Sequence, residues 1–258
     1  MKNKIKEKLI NNELVIGTFV NIPSPMVAEV IGLSGFDFIL IDFEHASFNY
    51  HIAENMIRGA NNSSCSVIIR TADKNPNNIS KALDIGAEAV QVPQVCSKED
   101  AQKIVDAGKF YPLGNRGMSH YVRAASYSHI EKARYYNNEN ENNLIIIQIE
   151  GQNAILELDK ILEINGIDVI FIGPFDLSQS LGVPGQVNHP LVEEKIFEIT
   201  NKAKKADKWI GTYVEDLESF EKNVKQGVKL LTHIVDVKFL YDACVEDVNK
   251  LRNIEKRM

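Results

Sequence analysis

Short runs rich in Val, Ile and Phe recur along the chain, and stretches whose apolar residues return every three or four positions lie between most of them. The runs predict eight strands: Val15–Val20, Asp37–Ile41, Ser66–Arg70, Ala89–Val92, Leu144–Ile149, Val169–Ile172, Trp209–Val214 and Lys229–Val235. Runs such as IIIQI and VIFI are nearly continuous rather than alternating, which suits a parallel sheet buried on both faces. The longer period predicts helices over Ser24–Leu33, His51–Gly59, Pro76–Leu83, Ser97–Ala107, Ala154–Ile164, Leu191–Lys205, Glu215–Lys225 and Val237–Leu251. Pro25 marks one helix start, and Ser97 and Gly108 bracket another as N-cap and stop. Strands alternating with helices predict an α/β fold, a single (β/α)8 TIM-type barrel preceded by a short N-terminal helix. A doubly wound open sheet is the alternative, but no G-x-G-x-x-G follows the first strand, so no nucleotide cofactor is expected.

One connection breaks the rhythm. Between Gly108 and Asn143 no clear strand is visible. Long connections in compact domains are usually functional or mobile. Tyr111–Tyr127 is therefore expected to be an ordered loop near the active site, and the polar tract Asn137–Asn143 a solvated surface segment without chemistry.

Length agrees with the pattern. A (β/α)8 barrel uses about 250 residues, and this chain has 258, with no Pro/Ser-rich linker to divide it. One domain spanning 1–258 is expected. The formal net charge of −6, without a basic stripe, argues against nucleic acid as a partner. Cys65, Cys96 and Cys244 form no C-x-x-C spacing, which suits a reducing compartment rather than a disulfide framework or a thiolate metal site. No apolar run approaches 18 residues and the N-terminal stretch has no long apolar h-region, so no membrane association and a cytoplasmic location are expected.

Barrel enzymes carry their chemistry at the carboxyl ends of the strands. Asp42, Glu44 and His45 follow the second strand, Arg70 closes the third, Glu150 follows the fifth, Asp176 the sixth and Asp236 the eighth. Asp236 is read as a cap of the last helix and kept outside the site. Two carboxylates, Glu150 and Asp176, without Cys or a His pair make a hard, oxygen-rich site suited to Mg²⁺ or Mn²⁺. Such a cation leaves positions for water and for a chelating 2-oxo acid, whose enolate it stabilises as a Lewis acid. Arg70 can balance charge on the enolate oxygen. His45 is the natural base at neutral pH. The Gly173-Pro174 turn and the helix start behind it can offer backbone N–H groups to a carboxylate. No lysine lies within a strand core or closes a strand, which disfavours a Schiff-base mechanism.

The residues at these ends resemble the metal-dependent class II pyruvate aldolases of the 4-hydroxy-2-oxoheptanedioate and 2-dehydro-3-deoxyglucarate aldolase type, in the phosphoenolpyruvate/pyruvate-binding barrel superfamily that includes the citrate lyase β-subunit. The likeness runs through GFDFILIDFEHA (Gly35–Ala46), IIR (Ile68–Arg70), KALDIGAEAVQVPQV (Lys81–Val95), YPLGNRG (Tyr111–Gly117), QIEG (Gln148–Gly151) and DVIFIGPFDLSQSLGVPG (Asp168–Gly185). The resemblance implies Glu150 and Asp176 as metal ligands, Arg70 as the residue on the oxo acid, His45 as the catalytic base with Asp84 as its acidic partner, and Asp42 at the same rim. It further implies substrate contacts from Gln148, Gly173, Pro174, Phe175 and Arg123. It implies a homo-oligomer, dimer to hexamer, with the C-terminal helix exchanged between subunits. Three places depart from the family pattern: His233–Asp236 reads HIVD where Gly-Val-Asp is common, His120 and Tyr121 replace small residues, and Phe175 stands beside a metal ligand.

The activity so implied is cleavage of a 4-hydroxy-2-oxo acid to pyruvate, or another short 2-oxo acid, and an aldehyde through an enolate on the metal. The alternative on the same site is a citrate synthase-type condensation of oxaloacetate with acetyl-CoA, as in carboxylate siderophore biosynthesis. A binding protein that kept the pocket is disfavoured because the ligands, the arginine and the His–Asp pair are all present.

Overall fold

The computed structural model describes residues 3–258 and contains a closed, all-parallel barrel whose strands pair in chain order, the eighth returning to the first. The strands are β1 (Val15–Val20), β2 (Phe38–Asp42), β3 (Ser66–Arg70), β4 (Ala89–Val92), β5 (Leu144–Ile149), β6 (Val169–Ile172), β7 (Trp209–Val214) and β8 (Leu230–Val235). Six of them share both ends with the runs read from the sequence; β2 is displaced by one residue and β8 begins one residue later.

The uninterrupted apolar runs serve two cores. Alternate residues such as Phe38, Leu40, Ile68, Ile146 and Phe171 fill the barrel interior. Their neighbours Ile39, Ile41, Ile69, Ile147 and Ile172 pack outward under the helices. Both faces are dry, so no polar face survives to give an alternating pattern. At the amino end the helix Lys4–Ile10 closes the interior, burying Ile5 and Leu9 in the same cluster. Gly17 is required here, because a Cβ at this position would lie 2.5 Å from the Phe38 ring. Gly17→Ala overpacks a fully buried aromatic, which costs about 1–3 kcal/mol. Thermal unfolding of that variant is expected several degrees below wild type at unchanged secondary structure; an unaltered Tm would show that Phe38 yields freely.

The long connection does not reach the carboxyl mouth. It starts where the helix Lys98–Gly108 ends and finishes where β5 begins, both at the amino face. Tyr111–Tyr127 is therefore a loop of the amino face, contrary to the expectation of an active-site loop within the same chain. The polar tract is also not a bare surface segment. Lys132–Asn142 is a helix whose N-terminus is capped by Glu131. Tyr135 is buried in it against Phe110. Asn140 exchanges hydrogen bonds with both backbone groups of Phe110, and Lys109 donates to Asn143 O at 2.6 Å. Asn140 satisfies loop backbone and Lys109 the end of this tract, roles that hydropathy does not reveal.

The final helix, Asp236–Glu255, follows β8 but hardly packs on its own barrel. Asp236 is its one buried residue, whereas Leu240, Tyr241, Val248, Leu251 and Ile254 stand exposed. No helix among the described residues is long and apolar enough to cross a membrane.

Candidate active site

The mouth is built from residues that strand geometry delivers to one place. In-register pairing sets Asp42 beside Arg70 and Arg70 beside Gln91. Arg70 forms a fork on Asp42, Nε to Oδ1 at 2.9 Å and Nη2 to Oδ2 at 2.8 Å. Its Nη1 lies 3.3 Å from Glu44 Oε2, and its guanidinium covers the Phe19 ring at 4.6 Å. Three constraints hold this buried cation in one orientation, as a carboxylate-binding arginine needs. Asp42 also accepts the Glu44 backbone N–H at 3.0 Å, shaping the turn that carries His45.

A chain of amides leads to Glu150. Gln91 Nε2 donates to Gln148 Oε1 at 2.7 Å, and Gln148 Nε2 donates in turn to Glu150 Oε2. The other Glu150 oxygen accepts the Gln94 backbone N–H at 2.7 Å. Burial pushes this carboxyl up to about 7, with Asp176 and Glu44 adding like-charge repulsion against the stabilising hydrogen bonds. Gly173 makes the seat possible: a Cβ there would lie 2.6 Å from Glu150 Oε2. Asp176 stands in the first turn of the helix Pro174–Ser180, at the rim.

A cavity of about 280 Å³ opens between these groups, lined by Asp42, His45, Arg70, Gln148, Gly173, Pro174, Phe175 and Asp176. Part of its wall is aromatic: Phe19 and Phe175 flank Tyr213 with ring centroids 5.9 and 6.0 Å away. Burial pushes the Tyr213 phenol up to about 12, so it stays neutral and can only donate or accept a hydrogen bond. Glu150 and Asp176 fit a hard divalent cation. Their donors are all oxygen, and the Glu150 carboxylate is buried among like charges. Among the described residues no three His, Cys, Asp or Glu side chains could hold an ion by themselves.

Two expected members lie elsewhere. Asp84 ends the helix Pro76–Asp84 at the amino face and pairs with Arg116 Nη2 at 2.7 Å, not with His45. His45 is 62% exposed, and the nearest carboxylate oxygen to its Nε2 is Glu44 Oε2 at 3.9 Å. Arg123 sits over Gly86 and donates to Ile85 O at 3.3 Å, beside the end of the same helix and remote from this mouth. The physical reason is the topology: a residue at the end of a barrel helix is at the amino face. Asp236 is not the cap expected of it: it is the first residue of its helix, whose N-cap is Val235, and its carboxylate accepts the N–H groups of Asn21 and Ile22 at 2.9 Å each and ties down the β1 loop.

The departures separate in the same way. His120 and Tyr121 belong to the amino-face loop, whereas Phe175 is in the cavity wall. In HIVD, Ile234 takes φ +54°, a left-handed conformation that a β-branched residue adopts only under strain. It lies in a bulge, where Thr232 faces Gly17 and Val235 faces Phe19, and Val235 lines the cavity. Sequence reasoning left out Phe19, Tyr213, Gln91 and Gln94, and named Glu44 at a strand end without giving it a role. The polar residue in AVQV was a signal for Gln91, and Phe19 and Tyr213 occupy inward positions near strand ends. Nothing local marked Gln94.

An eight-stranded parallel barrel with a buried arginine fork, a pair of carboxylates and an imidazole at its carboxyl mouth has the architecture of a barrel enzyme acting on a small molecule. The HpcH/HpaI aldolase/citrate lyase family model matches residues 15–243. The chain belongs to this family of class II aldolases and is an enzyme of the aldolase type; the family is generally divalent-metal dependent. A 2-keto-3-deoxy-L-rhamnonate aldolase of Klebsiella pneumoniae is 34% identical, covering 92% of this chain and 88% of its own. That of Escherichia coli K12 is 32% identical over 94% and 91%. Among solved structures, an HpcH/HpaI aldolase/citrate lyase family protein from Burkholderia cenocepacia superposes with a TM-score of 0.91 at 27% identity, covering 97% of this chain and all of that one. The citrate synthase SbnG superposes at 0.89 with 29% identity, over 97% and 98%.

Proposed function

We propose that this enzyme cleaves a 4-hydroxy-2-oxo acid to pyruvate, or another short 2-oxo acid, and an aldehyde. The observation that supports it is the convergence of Arg70, Gln148, Asp176 and His45 on one cavity, with the buried Glu150 carboxylate held by Gln148 from its wall. A divalent cation, Mg²⁺ or Mn²⁺, held by Glu150 and Asp176 would supply Lewis-acid polarisation of the 2-oxo acid. Arg70 binds the oxo acid and balances charge on the enolate oxygen. Gln148 keeps Glu150 oriented while its own carbonyl is held by Gln91. His45, facing the open side, takes the hydroxyl proton as the carbon–carbon bond breaks. The aromatic wall of Phe19, Tyr213 and Phe175 faces the aldehyde, which favours a short, partly apolar one. The relatives make 2-keto-3-deoxy-L-rhamnonate the first substrate to try. Metal-loaded protein is expected to exchange pyruvate methyl protons in D₂O, followed by NMR, and to condense pyruvate with short aldehydes. Failure of both would overturn the proposal.

SbnG favours a second reading, condensation of oxaloacetate with acetyl-CoA on the same site. Release of free thiol from acetyl-CoA only when oxaloacetate is present distinguishes it.

His45 and Asp84 stand at opposite faces of one barrel, so their pairing needs a second subunit, which would bring the amino-face residues Asp84 and Arg123 to a neighbour's mouth. The exposed apolar stripe on Asp236–Glu255 is consistent with a homo-oligomer, dimer to hexamer, built by exchanging that helix. Inactive His45→Ala and Asp84→Asn proteins, unfolded and refolded together, are expected to regain activity in mixed assemblies. Mixed assemblies that form but stay inactive would exclude the shared pair.

A further inference from the structure

Gln94 lies outside any strand or helix, two residues beyond β4, and touches both sides of the site. Its backbone is left-handed, with φ +56°, uncommon for a residue other than glycine. That conformation aims its N–H at Glu150 Oε1, 2.7 Å away. Its side chain runs the other way along the rim, and Nε2 donates to Glu44 Oε1 at 3.0 Å. The second oxygen of Glu44 faces Arg70 Nη1 at 3.3 Å. One residue thus spans from the carboxylate proposed to hold the cation to the arginine proposed to hold the oxo acid. Asp42 fixes Arg70 from one side, and Glu44 meets it from the other.

We infer that Gln94 is a positioning residue with two separable arms: its backbone N–H sets Glu150 for the cation, and its side-chain amide sets Glu44 against Arg70 for the oxo acid. The inference rests on the metal role of Glu150. The two arms answer to different substitutions. Gln94→Gly keeps the N–H and adopts the left-handed backbone freely, but loses the amide. Gln94→Met also loses the amide while keeping an unbranched side chain of similar length. Gln94→Val disfavours the left-handed conformation, because a β-branched residue is a genuine outlier there.

The test measures Mn²⁺ binding to metal-stripped protein by electron paramagnetic resonance, KM for the 2-oxo acid at saturating metal, and Tm. Gln94→Gly and Gln94→Met are expected to bind Mn²⁺ within about threefold of wild type while KM rises about tenfold, the range seen when groups supporting a site's ligands are removed. Gln94→Val is expected to lose Mn²⁺ affinity about tenfold or more. In a double-mutant cycle Gln94→Met adds little to the KM of Glu44→Ala, because both cut the same arm. The inference is overturned if Gln94→Met leaves KM unchanged, or if all three variants lose metal and oxo acid together in step with Tm. Wild type and Glu150→Ala serve as the separate control: equal Mn²⁺ binding by the two would remove the metal role of Glu150 itself.

Discussion

Glu150→Gln is expected to lower metal-dependent kcat/KM on the order of 10³-fold, about 4 kcal/mol of transition-state stabilisation, while the barrel stays folded. The amide matches the carboxylate in shape and can keep the Gln94 N–H, but it carries no charge for a cation. The same variant has a stability signature. Glu150 rises from an ordinary 4.5 to about 7 in the folded protein, first through burial and then through Asp176 and Glu44. A carboxyl raised on folding binds its proton more tightly in the native state. Its contribution is therefore fully present below pH 4.5 and is lost as pH rises through about 7. The loss is on the order of 3 kcal/mol at most, at 1.36 kcal/mol per unit. Metal-stripped wild type is thus expected to lose Tm progressively between pH 5 and pH 8, and Glu150→Gln to lose less. Mg²⁺ or Mn²⁺ replaces the proton and should restore Tm most strongly at the alkaline end. Thermal scans with and without chelator across this window check the sign; a flat chelated profile would contradict the crowded, buried carboxyl.

Arg70→Lys is expected to lower kcat/KM by about 10²–10³-fold despite conserving charge. The guanidinium spends two N–H groups on Asp42 and directs a third nitrogen at Glu44, while its plane covers Phe19. A lysine ammonium has no planar fork to hold Asp42 bidentately, so it cannot keep both the anchor and a fixed donor for substrate. Steady-state kinetics should show the loss at every metal concentration, and Mn²⁺ binding should survive, because Arg70 does not touch Glu150 or Asp176 among the hydrogen bonds and ion pairs described. Activity within a few-fold of wild type would mean that the fork only supports Asp42.

Much of this site was legible along the chain. Asp42, Arg70, Glu150 and Asp176 follow or close strands, and barrel closure carries strand ends to one mouth whatever the intervening helices do. Gln148 came from the resemblance and Gly173 from the turn after the sixth strand, and their contacts show their use, one orienting Glu150 and the other leaving it room. Asp84 and Arg123 lie at the amino face of this chain, a placement the motifs do not encode, because a motif match carries a role but no face of the barrel. The long loop was misplaced because length was read as a sign of function. The element preceding it was a helix, and a helix that follows a barrel strand returns the chain to the amino face.

What the amino-acid sequence by itself determined is the alternation of strand and helix, the two dry faces of the sheet and the chemistry available at the strand ends. These are properties of neighbouring residues: hydrophobic period, capping and the kind of side chain after each run. Only the tertiary structure decided which partners those side chains find. The Arg70 fork, the Gln91–Gln148–Glu150 relay, the two contacts of Gln94 and the aromatic wall each join residues from different strands or from the segments that follow them. Their distances are set by register and closure of the whole barrel, which no local stretch of chain encodes.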